Sequence, residues 1–229
     1  MKVRLHCGDC REVLPTLAPG SYRAIVTGPP YFGAMPYLPE GHPEEGEEIG
    51  AEVYYPQYIA RLVDIFRTAR PLLTRDGALW LVSGETRPTG LDVPHLLAQA
   101  LQSDGWILVA RHEWHRDATT TDGVYCFAQS VLGLSRLETI VPRAWRAPAG
   151  LTDGATFYAV PSAVAADCIA ASTHPGDRLL DPFAGTGTIG VEAALMGRTA
   201  DLIETDPRQC WIATERLRRI GAGPGAAAA

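Results

Sequence analysis

Lysine is nearly missing from this sequence: Lys2 is the only one, and the other basic side chains are all arginines. Acidic residues outnumber basic ones, giving a formal net charge of −6. That excludes the broad basic footprint of a tight, nonspecific nucleic-acid binder, though not a local arginine patch. Arginine suits bidentate contacts with phosphate or guanine better than lysine does. The chain also lacks an apolar run near the ~20 residues that span a bilayer, and its Met-Lys-Val-Arg start has no signal-peptide core. The expectation is a cytoplasmic protein without a membrane partner. Five cysteines, an odd number, do not suggest a disulfide framework. Cys7-x-x-Cys10 has no second pair to complete a zinc site, and His112 and His115 have no further ligands nearby in sequence, so no metal is expected.

Apolar residues make up 46% of the 229, enough for one full core. Residues 1–220 are expected to form a single domain, followed by a low-complexity, disordered tail at 221–229. Strand-like and helix-like stretches alternate. Strands are expected at Lys2–His6, Arg23–Thr27, Ala78–Val82, Trp106–Ala110, Ser130–Leu134, Asp177–Leu180 and Ala200–Glu204. Helices are expected at Tyr55–Leu73, Val93–Gln102, Ser162–Ser172, Val191–Met196 and Pro207–Ile220. This alternation predicts an α/β fold with a doubly wound, mostly parallel sheet. Residues 34–52 carry six glutamates and read as an acidic loop long enough for a mobile lid. Residues 111–128 and 138–156 read as irregular segments, with a turn at Thr119–Gly123.

Two stretches carry chemistry. Leu179-Leu180-Asp181-Pro182-Phe183-Ala184-Gly185-Thr186-Gly187 runs from a strand through a glycine-rich turn into a helix, which brings backbone close to a ligand. Gly185-x-Gly187-x-x-Gly190 also fits a dinucleotide fingerprint, with Glu204 19 residues after Gly185. Asp181 argues against a dinucleotide, because a carboxylate there repels a pyrophosphate and attracts a cation. A sulfonium cofactor with an adenosine tail suits it better. The second stretch, Gly28-Pro29-Pro30-Tyr31, follows another strand. Its two prolines make a rigid segment offering a carbonyl and an aromatic face to a planar amine.

Together these stretches resemble the β class of DNA amino-methyltransferases, where the catalytic motif precedes the cofactor motif. Cys7-Gly8-Asp9, Ile49-Gly50-Ala51-Glu52, Asp76-Gly77-Ala78-Leu79-Trp80-Leu81, Leu101-Gln-x-Asp-Gly-Trp106 and Pro175-Gly176-Asp177 extend the resemblance across residues 3–220. It implies a seven-stranded Rossmann-like methyltransferase sheet with helices on both faces, and S-adenosyl-L-methionine as cofactor. Asp181, Phe183, Ala184, Gly185, Thr186 and Gly187 would cradle that cofactor. Glu204 would hold its ribose, and Asp9 would lie near the adenine or its ribose. Tyr31 would stack on a base flipped out of double-stranded DNA, and the exocyclic amine would take the methyl group in line without a metal. The context Val26-Thr27-x-Pro-Pro-Tyr-Phe-Gly33 is similar to the N4-cytosine branch more than to the N6-adenine branch. Gly28 departs from the family, which has Ser, Asp or Asn there to accept a bond from the target amine. That departure predicts weakened or lost transfer, with an inactive binding protein as the alternative.

Target recognition is expected from the small insertions at 111–128 and 138–156, where Arg111, Arg116, Arg143, Trp145 and Arg146 combine basic and aromatic groups. So short a reader implies a short site, a homodimer, or a partner's help. In a restriction-modification setting the partner expected is the cognate endonuclease.

Overall fold

A computed structural model describes residues 3–33, 38, 40–42, 45–84, 90–137, 144–148, 150–152 and 155–223. Its main sheet has eight strands: β1 (Val3–Cys7), β2 (Tyr22–Thr27), β3 (Leu73–Ser83), β4 (Ile107–His115), β5 (Thr121–Ala128), β6 (Ala144–Arg146), β9 (Arg178–Asp181) and β10 (Thr199–Glu204). A separate antiparallel pair, β7 (Gly150–Thr152) and β8 (Ala155–Ala159), follows β6. The order across the main sheet is β1-β10-β9-β2-β3-β5-β4-β6. Every neighbouring pair is parallel except the two that β5 makes. The expected doubly wound α/β sheet is therefore present, one short edge strand larger than the seven expected.

Helices cover both faces. On one lie α1 (Cys10–Val13), α2 (Tyr55–Ala69) and α3 (Val93–Ser103). On the other lie α4 (Val131–Leu137), α5 (Ser162–Ser172), α6 (Thr188–Leu195) and α7 (Pro207–Arg219). Strand β3 shows why the sheet needs both layers. Ala78, Trp80 and Val82 enter the core under α5, while Leu79 and Leu81 enter the core under α2. A continuous apolar run, with side chains filling both faces, is what a strand buried on both sides requires. Helix α2 buries Tyr58, Leu62, Ile65, Phe66 and Ala69 along one stripe at helical spacing. Among the described residues no helix is long and apolar enough to cross a membrane.

Several expectations are corrected here. Residues 111–128 are irregular only at 116–120: the rest is the end of β4 and all of β5, paired antiparallel from His115↔Thr121 to Ala110↔Cys126, so Thr121–Gly123 of the expected turn are strand. His112 and Trp114 point inward between exposed Arg111 and Glu113, an alternation hidden because histidine reads as polar. The expected strand at 130–134 is the start of α4, where the Ser130 hydroxyl accepts the Gly133 N–H at 3.3 Å and caps the helix. Residues 138–156 include β6 and β7 rather than only loop. The first long helix stops at Ala69, and Thr74–Gly77 belong to β3. Within the acidic loop, Leu38, Glu48 and Ile49 are buried, so those parts pack against the domain. Residues 34–37, 39, 43 and 44 and the tail from 224 lie outside the described residues.

Candidate active site

Strands β9 and β2 are neighbours, and helices leave them toward opposite faces of the sheet, so a crevice opens beyond their carboxyl ends. Both chemical stretches sit there. Asp181 ends β9 and is 1% exposed. Its Oδ1 accepts the Thr27 hydroxyl at 2.6 Å and the Phe183 N–H at 3.1 Å. Thr27 immediately precedes Gly28, so one hydrogen bond joins the two stretches. Burial pushes the Asp181 carboxyl up to about 7.

The turn after Asp181 depends on its glycines. Gly185 and Gly187 have φ of 53° and 80°, in the left-handed region that favours glycine. A β-carbon on Gly187 would also lie 2.9 Å from that of Ala213 in α7. The Gly185 N–H donates to Glu204 Oε2 at 2.7 Å, and Glu204 Oε1 accepts the Asp206 N–H at 2.8 Å. Each oxygen of Glu204 keeps acceptor capacity for a further donor. Burial pushes this carboxyl up to about 7 as well. Thr186 is pinned from behind, with its carbonyl and hydroxyl accepting from Arg216 at 2.7 and 3.0 Å. Ala184 is buried, and Phe183 turns its ring edge-on to Phe66 at 6.4 Å. The next strand, β1, adds Asp9, whose Oδ1 accepts the Arg11 N–H at 2.6 Å and caps α1. Its Oδ2 accepts from Arg11 Nε at 2.6 Å. The Gly8 N–H donates to the Glu204 carbonyl at 2.8 Å, holding Asp9 beside Glu204.

Beyond β2, the Pro30 carbonyl accepts the Tyr58 hydroxyl at 3.0 Å, which ties the rigid segment to α2. Tyr31 is 6% exposed and donates its hydroxyl to Asp122 Oδ2 at 3.1 Å. Arg116 Nε lies 2.8 Å from the same oxygen, and the guanidinium sits over the Tyr31 ring, 5.9 Å from its centroid. Gly28 has no side chain to offer, and a β-carbon there would lie 3.0 Å from Val160 Cγ2.

The expected recognition residues separate. Arg116 is not at the surface: its side chain is 8% exposed and it belongs to the Tyr31 cluster. Arg111 is exposed on β4, 3.5 Å from Asp92. Trp145 is half-buried, donates to Asp167 Oδ2 at 2.8 Å and packs against His112, so its ring is held within the fold. Arg146 is exposed and in register with His115, at the same edge as the crevice. Arg143 lies outside the described residues. Sequence reasoning missed Asp122, Tyr58 and Arg216. No local signal marks them, because chain topology alone brings each to its partner.

The type II methyltransferase M.XycI of Xanthomonas campestris pv. cyanopsidis is 31% identical, over 92% of this chain and 86% of its own length. The chain belongs to the DNA methylase family. The family's model matches residues 146–215, from the end of β6 through the glycine turn and Glu204 into α7. M.SmaI of Serratia marcescens, another type II methyltransferase, is 30% identical over 94% of this chain and 91% of its own. Among solved structures, TTHA0409 of Thermus thermophilus, complexed with S-adenosyl-L-methionine, superposes with a TM-score of 0.69 at 26% identity. The match covers 95% of both chains. The cytosine-N4-specific PvuII methyltransferase shares the fold, with a TM-score of 0.74 at 16% identity over 93% of this chain and 85% of its own. In this DNA methylase, then, the matched segment is the half of the crevice built by β9, β10 and α6.

Proposed function

We propose that this protein binds S-adenosyl-L-methionine in the crevice beyond β9, β10 and β1 and methylates the exocyclic amine of a base flipped from double-stranded DNA, N4 of cytosine in preference to N6 of adenine. The observation that carries the proposal is the Thr27–Asp181 hydrogen bond, which fixes the rigid Pro-Pro-Tyr segment against the glycine turn. The residues fit a sulfonium nucleoside. A buried carboxyl at Asp181 suits an ammonium, Glu204 has free acceptor capacity for ribose hydroxyls, and a β-carbon at Gly187 would strike α7. When bound, the cofactor supplies an electrophilic methyl group.

The protein's own residues supply position. Tyr31 offers its ring to the flipped base. The Gly28 and Pro29 carbonyls accept the amine hydrogens and align the nitrogen. Without a side chain at position 28, one acceptor is lost, so transfer is slow. The cytosine preference rests on the Thr27-x-Pro-Pro-Tyr context. Recognition involves exposed Arg111 and Arg146, and a homodimer or a cognate endonuclease as partner. A second reading, a protein that binds cofactor and DNA without transfer, is favoured by Gly28 and by the net charge of −6. Labelled S-adenosyl-L-methionine is incubated with unmethylated DNA, and the product is digested to nucleosides. Label in N4-methylcytosine supports the proposal, label in N6-methyladenine overturns the base assignment, and no label with cofactor still bound favours the second reading.

A further inference from the structure

Asp122 is the second residue of the antiparallel strand β5, so it reaches the crevice from the opposite chain direction to Tyr31. It is 1% exposed and uses its two oxygens unequally. Oδ2 is shared by the Tyr31 hydroxyl at 3.1 Å and Arg116 Nε at 2.8 Å. Oδ1 is buried and has no hydrogen-bond partner among the described residues. A buried carboxylate oxygen without a donor is costly, and such groups are exceptions that call for a reason. Holding Tyr31 accounts for Oδ2 only. Burial raises the Asp122 carboxyl above the usual range, as expected for a group kept from water.

The surroundings leave room for this oxygen by design of the backbone. A β-carbon on Gly84 would overlap Oδ1 and lie 2.8 Å from Tyr31 Cε2. Val82, two residues earlier, faces the same side of the sheet and would meet a β-carbon on Gly28 at 3.7 Å. Two residues of extended chain span about 7 Å, roughly the reach of a base lying between the two positions. The Tyr31 ring itself is covered, with the Arg116 guanidinium over it. A guanidinium is a planar group with N–H donors at its edge and a face that stacks on aromatics. The amine edge of cytosine or adenine has the same two properties.

We propose that Asp122 contacts the target base: the base takes the place that the Arg116 guanidinium holds over Tyr31, and Asp122 accepts a hydrogen bond from its exocyclic amine. The inference rests on the function proposed above and supplies, from β5, an acceptor that Gly28 lacks.

The test compares methyl transfer into unmethylated genomic DNA by the wild type, D122N, D122S, Y31F and the Y31F/D122N pair, with cofactor affinity measured for each. Y31F keeps the ring but removes the hydroxyl bonded to Asp122. The expected result is a loss of about tenfold or more in kcat/KM for DNA with D122N, cofactor Kd within about twofold of wild type, and a comparable further loss when D122N is added to Y31F. If D122N adds nothing to Y31F, Asp122 acts only by holding Tyr31 and the inference is overturned. Loss of cofactor binding in both D122N and D122S makes the residue structural, which also overturns it. Transfer by wild type that D122N leaves intact sinks this inference alone, whereas no transfer by wild type sinks the proposed function with it.

Discussion

A β-carbon on Gly28 would lie 3.0 Å from Cγ2 of Val160, a closer approach than carbon atoms normally make. The space into which a side chain at position 28 would grow is thus already taken by a residue of the segment leading into α5. Gly28 does not have a left-handed backbone, so the obstacle to a larger residue is this contact and not strain.

The expected behaviour of G28S follows. Serine supplies the missing acceptor but has to displace Val160, so the single variant gains less than the G28S/V160A pair. One recovered hydrogen bond to the transition state is worth about 1–3 kcal/mol, or roughly five- to 150-fold in rate. Initial rates of label incorporation for the two variants check it. A single variant as fast as the pair would mean that Val160 yields freely.

Glu204 holds the glycine turn through the Gly185 N–H and the α7 entry through the Asp206 N–H. E204A leaves both donors unpaired and removes the expected acceptor for the cofactor ribose. Cofactor affinity should fall by about tenfold or more, read by calorimetry, while E204Q loses less because it keeps one acceptor.

Asp181 and Glu204 also set a pH dependence. Their folded-state values, each about 7, lie above those of an unfolded carboxylate. The fold therefore binds these protons more tightly, and the resulting stability is full below about pH 4 and is lost as pH rises through 7. Cofactor binding runs the other way, because an ionised Asp181 attracts an ammonium and an ionised Glu204 is the stronger acceptor. From pH 5 to 8 the cofactor-free protein should melt lower while cofactor Kd tightens. E204Q should flatten both slopes, and equal slopes in wild type and E204Q would show that Glu204 does not titrate in this window.

Tyr58 reaches from α2 to the Pro30 carbonyl at 3.0 Å. Y58F should cost about 1 kcal/mol of folding stability and slow transfer several-fold without weakening cofactor binding. Chemical denaturation and initial rates separate the two effects.

Gly84 is required by its neighbours rather than by its own backbone. Alanine there would overlap Asp122 and crowd Tyr31, so G84A should destabilise by about 1–3 kcal/mol and reduce transfer. A melting curve unchanged from wild type would contradict the close packing of these three residues.

The parallel half of the fold is legible in the sequence because its signals are local. The continuous apolar run Ala78–Val82, the stripe along α2 and the glycines after Asp181 each state their own structure. The β4–β5 hairpin is not, since His112 and Trp114 alternate inward among charged residues and Asp122 sits in a stretch that resembles a turn. Ser130–Leu134 looks like a strand by propensity, yet the Ser130 hydroxyl caps a helix there. The site divides the same way. Asp181, Gly185, Gly187, Glu204 and Tyr31 can be found from motif spacing, but Asp122 lies 91 residues from the Tyr31 it bonds. Only the antiparallel pairing of β5 with β3 brings them together.

Division of labour within one crevice is the central claim, and labelled methyl transfer combined with cofactor affinity for wild type, Y31A and E204A tests it most directly. Slow transfer into DNA by wild type, its loss in Y31A with cofactor Kd unchanged, and loss of both in E204A is the predicted pattern. Transfer by Y31A at the wild-type rate, or undiminished cofactor binding by E204A, would contradict it.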